Sequence, residues 1–403
     1  MSGLAPRWQP PARSASARAL YAEAEAERSA DPGRFRLSGA ALVSAHLKRF
    51  PDAPGVPEGL VRLADEAGES GRLNALGARA IRRLLGSLAV KRDRLAAVVD
   101  ERPDIAVHRV HSPIFILGGW RTGSTLLHRT LASLPGLRAP AFWEWADPFA
   151  AAIGTAEAKE AAVASAERGF AAQYRLNPLK ENVHPASATL AEECVVGMGA
   201  DGRNWALPSS VWVPGYAHWL ETEDFTESYQ LHRTILALLA HGGEDTWVLK
   251  APAHTAELAA LLGVYPDARV IHLHRDVVDV VAAAAHLFSV FQSTYSDEVD
   301  AYAVGRHQLE TLSMWFERAR RTRAEAATTA RFLDVRFSEL VTDLEGTIAR
   351  VLSWLGLDPA LACGAQEGSA PHHARYRYHL GEFGLTAGEV RERMKLYLDT
   401  FEV

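Results

Sequence analysis

Between residues 118 and 125 the chain reads Gly-Gly-Trp-Arg-Thr-Gly-Ser-Thr. This sets one cation, Arg121, and the hydroxyls of Thr122, Ser124 and Thr125 around Gly119 and Gly123. A fixed guanidinium with hydroxyl and backbone donors suits a single phosphate-like anion whose bridging oxygen departs with negative charge. Further along stand Lys250, His254 and Arg275, the last followed by Asp276 and Asp279. A neutral imidazole at His254 is able to deprotonate an alcohol near pH 7, and Lys250 can stabilise a leaving oxygen or orient the loop. Glu144, in Phe142-Trp-Glu-Trp145, is a second candidate base, because packing among aromatics raises a carboxyl pKa. Its alternative role is that of a helix cap or ion-paired carboxylate.

These residues need elements to hold them. Ile114 to Leu117 is a short apolar run, and Leu126, Leu127, Leu131 and Leu134 recur beyond the glycines at helical spacing, so the order is strand, loop, helix. Such a loop aims backbone N–H groups and the positive end of a helix dipole at one spot. Strands are expected again at Trp247–Lys250, Ala268–His274 and Phe332–Arg336, each followed by a helical pattern. Alternation of this kind predicts an α/β fold of three layers, a central mainly parallel sheet flanked by helices, with ligands beyond the carboxyl ends of the strands. Residues 1–20 are expected to form a flexible tail, 21–110 a helical lead-in, and 111–403 the main domain, interrupted by a helical insertion over 151–242. The insertion's aromatics, Trp205, Trp212, Tyr216, Trp219 and Tyr229, are expected in the core, with an acceptor pocket as the alternative.

Composition removes several classes. A net charge of −6 argues against tracking along nucleic acid. Two cysteines, Cys194 and Cys363, build no disulfide framework and no metal site, which favours a cytoplasmic setting. The apolar window Val277 to Phe291 is broken by Asp279 and His286 and reads as a core helix, not a membrane span. The N-terminal stretch lacks the apolar segment of a secretory signal, and a solvated tail is expected over a transit peptide.

Gly118-x4-Gly123 followed by Ser124 and Thr125 nearly spells the phosphate loop of nucleoside triphosphatases, yet Ser124 stands where the lysine belongs. With no obvious partner Asp for magnesium either, triphosphate hydrolysis is disfavoured. A dinucleotide fingerprint fails because Trp120 occupies a required glycine position. What remains resembles the Arg-Ser-Gly-Thr-Thr-Leu loop of the sulfotransferases that use 3′-phosphoadenosine-5′-phosphosulfate, in particular the bacterial group related to tyrosylprotein sulfotransferases. Val248-Leu-Lys-Ala-Pro-Ala-His254 is similar to that family's Leu-Lys-x-Pro-x-His signature, and Ile271 to Asp279 to its second nucleotide motif. Val335 to Val341, with Gly346 and Trp354 to Leu357 following, resembles its later strand and helix, so the resemblance covers roughly 113–403 in the expected order.

The resemblance implies that Gly119, Arg121, Thr122, Gly123, Ser124 and Thr125 hold the 5′-phosphosulfate, that Arg275 grips the 3′-phosphate, and that Lys250 with Arg121 offsets charge on the leaving phosphate. It implies Glu144 or His254 as base. Ala283 stands where the family usually has a Ser that helps bind the 3′-phosphate, leaving more for Arg275, His286 or a C-terminal group. His184, Glu192 and Glu193 have no metal-site spacing and are assigned to an acceptor pocket. The His372 to Tyr378 cluster is either a nucleotide-closing segment or a solvated loop. The expected activity is sulfuryl transfer to a hydroxyl or amine of a small-molecule or peptide acceptor, with no metal, nucleic acid or membrane required and a homodimer allowed. A small-molecule kinase and a non-catalytic nucleotide-binding protein are the rival readings.

Overall fold

The computed structural model describes residues 6–70, 72–240, 245–326, 331–363 and 378–403. At its centre lie five parallel strands: β1 (Ile114–Gly118), β2 (Leu137–Arg138), β3 (Thr246–Lys250), β4 (Arg269–His274) and β5 (Phe332–Arg336). Their order is β2-β3-β1-β4-β5, with all pairings parallel. Every residue of β1 is buried, as a strand covered by helices on both faces must be. The three-layer architecture expected from the strand and helix alternation is therefore the one found. β1 lies between β3 and β4, so the carboxyl ends of three neighbouring strands deliver Gly118, Lys250 and His274 to one edge.

The helix after β4 runs Val277–Tyr295, longer than the apolar window alone indicated. Its length and composition would allow it to cross a bilayer, but 83% of its apolar window is buried inside the protein, against other helices. It therefore packs as a core helix. Of the insertion's five aromatics expected in the core, Trp205, Tyr216 and Tyr229 are buried, whereas Trp212 and Trp219 are half-buried and pack against its edge.

The expectation of a solvated tail over residues 1–20 needs correction for its described part. A helix spans Ala15–Ala30, capped by Ser14. Trp8 and Ala17 are buried, the Trp8 N–H donates to the Glu382 carbonyl, and the Tyr21 hydroxyl donates to the Thr294 carbonyl. The alanine-rich composition is helical propensity with one apolar face, not the signature of a loose chain.

Candidate active site

The loop after β1 is shaped by backbone that few side chains accept. Gly118 has φ 145° and Gly123 φ 87°, and a Cβ on Gly123 would come within 2.7 Å of Leu340. Gly119 is closed to side chains for another reason: its Cβ would meet Val280 at 2.4 Å. Arg121 also lies in the left-handed region, at φ 61°, a placement that costs a non-glycine residue roughly 1–2 kcal/mol. Strain of this kind persists where surrounding structure enforces it, most often at functional sites. Two hydroxyls brace the turn. Thr255 accepts from the Gly118 N–H and donates to the Gly118 carbonyl, each at 3.0 Å, and Thr122 donates to the Gly119 carbonyl.

The helix that follows spans Ser124–Ala132, with Gly123 as its N-cap and no side chain capping the first turn. Its opening N–H groups have no intrahelical acceptors and, with the dipole, form a seat for an anion. Lys250 approaches from the end of β3. The side chain is buried, and its Nζ donates to Thr125 Oγ1 at 3.2 Å and to Glu193 Oε1 at 2.6 Å. A buried ammonium needs such a partner, since an unpaired charge there would cost several kcal/mol.

Arg121 and Arg275 are linked through the backbone. Arg275 Nη1 donates to the Arg121 carbonyl at 2.8 Å, while Nη2 pairs with Asp279 at 3.0 Å and the guanidinium covers the Phe337 ring. The ion pair to Asp279 and the contact with the loop thus coexist at Arg275. Arg121 Nη1 donates to the Val183 carbonyl, and burial with the Arg121 charge pushes the His286 pKa down to about 4. Ala283 is buried and offers no polar atom.

Both candidate bases are engaged elsewhere. Glu144 Oε2 accepts from the Ala141 N–H and Oε1 pairs with Arg138, each at 2.8 Å, which is the cap and ion-pair arrangement. His254 has no exposed surface: its Nδ1 meets the Tyr229 hydroxyl at 2.8 Å, and its ring sits edge-on to Phe115. Burial, and then the charges of His232 and Lys250, drives its pKa well below the usual imidazole value. The short turn Pro252–Thr255 holds it inward, closed off from solvent.

A different histidine has the open position. His184 closes the short helix Leu179–Val183, one residue after the carbonyl that holds Arg121. Its Nε2 lies 3.3 Å from Glu192 Oε2, and 31% of its side chain is exposed. Burial works to raise the Glu192 carboxyl, but His184, Lys250 and the Glu193 N–H together hold it below the ordinary range. The 183–193 segment is fastened to the loop helix by Arg129, which donates to the Pro185 and Ala191 carbonyls. Trp145 Nε1 donates to the Glu192 carbonyl from behind. Glu193 on Lys250 and Glu192 on His184 are the arrangements that sequence spacing does not disclose. The available signal is two adjacent acids between Ala191 and the apolar Cys194–Val196, where carboxylates must find partners.

A second titratable cluster lies beside the site. His272, His274 and Asp334 come close enough to suggest a metal, but Arg323 donates to both Asp334 oxygens and lies 3.0 Å from His272 Nδ1, so a guanidinium already supplies the cation. The His372 to Arg377 part of the C-terminal basic cluster lies outside the described residues.

A buried-lysine anion loop at the carboxyl edge of a five-stranded parallel sheet defines a group-transfer scaffold, and comparison with known proteins specifies which. Residues 113–360 match the model of the sulfotransferase family, and the chain belongs to that family. The omega-hydroxy-beta-dihydromenaquinone-9 sulfotransferase Stf3 of Mycobacterium bovis is 24% identical over 250 residues, which is 61% of this chain and 63% of that relative. The match thus spans less than two thirds of the relative's own length. The crystal structure of sulfotransferase STF1 from Mycobacterium tuberculosis is 28% identical, with TM-score 0.73 over 88% of this chain and 97% of that one. STF9 from Mycobacterium avium, 23% identical, shares the fold with TM-score 0.78 over 91% of this chain and 97% of its own.

Proposed function

We propose that the protein transfers a sulfuryl group from 3′-phosphoadenosine-5′-phosphosulfate to a hydroxyl, or an amine, of a small-molecule acceptor. The observation that carries this is Lys250, buried and pinned by Glu193, with its ammonium on Thr125 at the mouth of an uncapped helix. Two cations held beside the loop, with hydroxyl and amide donors, match a phosphosulfate better than a triphosphate, for which the loop lysine is missing.

In this reading Gly119, Thr122, Gly123, Ser124 and Thr125 seat the 5′-phosphosulfate. Arg121 and Lys250 offset the charge that grows on the bridging oxygen as sulfur is transferred in line. Arg275, levelled by its bond to the Arg121 carbonyl, takes the 3′-phosphate, and the Asp279 pair opens or is shared when it does. Of Glu144, His254 and His184, only His184 combines an exposed face with an orienting carboxylate, so it is assigned the acceptor proton, which Glu192 then stabilises on the ring. No metal enters the scheme. The two cysteines, both free, accord with a cytoplasmic setting. Among acceptors, the hydroxylated menaquinone named for the Mycobacterium bovis relative is a first compound to assay, alongside phenols and tyrosyl peptides.

The decisive assay is release of 3′,5′-bisphosphoadenosine by purified protein in chelator-treated buffer. Arg121→Ala is expected to lower kcat/KM at least a hundredfold, and Arg275→Ala to act mainly on the donor KM. Full activity in Arg121→Ala, or a strict need for ATP and magnesium, refutes the assignment.

A further inference from the structure

A groove of about 980 Å³ lies on the N-terminal helical region, away from the loop. It lies between the Gly39–Arg49 helix and the Ala75–Glu101 helix, and it reaches the residues that follow β2. Pockets of roughly 300–1,000 Å³ are the size that encloses a whole small ligand. The floor is apolar, built from Phe35, Leu42, Leu88, Phe142 and Phe149.

Its charge is opposite in sign to that of the whole chain, whose net charge is −6. Seven arginines and Lys91 line the groove, against a single carboxylate, Asp147. Arg79 is neutralised by Glu27 and Arg94 lies 3.8 Å from Asp147. Among the described residues, Arg34, Arg36, Arg49, Arg82 and Arg83 have no carboxylate partner, and all five are exposed. Arg82 spends one N–H on the Arg34 carbonyl, and Arg49 lies over the Phe50 ring. Unpaired guanidiniums gathered around an apolar trough repel each other unless an anion joins them, and a purely aqueous anion would leave the trough unfilled.

We propose that this groove binds one molecule of an anionic amphiphile, with its hydrocarbon chain along the Phe35, Leu42 and Leu88 floor and its phosphate or carboxylate head among Arg49, Arg82 and Arg83. The occupant is a single lipid-like molecule rather than a bilayer surface, because the apolar residues form the floor of a recess. The site is physically joined to the candidate active site. Lys91 Nζ donates to the Trp145 carbonyl at 3.0 Å from the groove side, and Trp145 Nε1 donates to the Glu192 carbonyl on the other. An occupant that shifts Lys91 would therefore press on the residue that orients His184.

The test needs no sulfotransferase assay, so it stands or falls apart from the proposed activity. The full chain is titrated calorimetrically with monomeric dodecyl phosphate, below its micelle concentration. Saturation at one per chain is expected, with inorganic phosphate and dodecyl maltoside each at least tenfold weaker, and with affinity falling as salt rises. The triple variant Arg49→Ala, Arg82→Ala, Arg83→Ala should weaken binding at least tenfold without changing the thermal melt, because these side chains are exposed. Ala45→Trp, at an exposed lining position, should block the trough and abolish binding. Equal binding of phosphate and dodecyl phosphate, unchanged affinity in the arginine variant, or binding to anionic vesicles with none to the monomer, would each overturn the proposal.

Discussion

Lys250 is almost wholly withdrawn from water, and one carboxylate answers its charge. Breaking a buried ion pair from one side leaves an uncompensated charge, so Glu193→Gln should lower unfolding free energy by about 3–5 kcal/mol, read from urea denaturation. His184→Gln should reduce kcat about 10²-fold or more with little change in donor KM. His254→Gln, by contrast, should register as lost stability, since its ring contacts Tyr229 and Phe115. The sequence marked Arg121, Lys250 and Arg275 as residues of the site's edge because they follow strands. It could not pair Lys250 with an acid 57 positions earlier in the chain, because that meeting is made by the insertion folding back over the loop helix. Nor could it tell Glu144 from a cap, since the ambiguity is decided only by where Arg138 and the Ala141 N–H point.

At the scale of elements, the strand, turn and helix around Gly118 to Ala132 were readable from apolar periodicity alone, whereas the strand order was not. β1 sits between β3 and β4 although more than a hundred residues separate it from either, and no local pattern carries that information. Thr255 is the residue through which the turn after β3 holds the loop after β1. Thr255→Val is nearly isosteric but leaves the buried Gly118 N–H and carbonyl each short of a partner. The expected cost is about 1–3 kcal/mol, measurable by chemical denaturation, together with a higher donor KM as the loop loosens.

Across the whole molecule, buried histidines set the acid limit. Burial, with Lys250 adding for His128, drives His128 and His232 down to about 3, so both stay neutral in the folded chain well below the ordinary value of 6.5. The unfolded chain binds protons at these positions once pH drops below about 6.5, hence stability rises with pH across that window and falls as pH is lowered toward 3. Glu257 works against them: burial raises its carboxyl to about 7, which adds stability as pH falls through that value toward the ordinary carboxylate range. Two histidines with larger shifts outweigh one carboxylate, and thermal melts between pH 7 and 5 should show a net loss on the acid side. The N-terminal residues contribute at this scale too. Trp8 meets His286 edge-on, and Arg7 pairs with Asp300, so removing residues 1–14 should lower the melting temperature. Composition misread this stretch because helix-forming alanines and a lone buried tryptophan look the same as a loose tail until a partner surface is known.

The backbone at Arg121 has a practical consequence for anyone selecting hardier forms of this protein. Glycine would accept φ 61° without penalty, and the carbonyl that Arg275 grips would survive the exchange. A screen scored on heat resistance alone would therefore enrich glycine at this position and, on the role proposed for Arg121, return a sturdier protein with little turnover. Turnover must be part of the score, because the backbone favours glycine where the proposed chemistry needs a guanidinium.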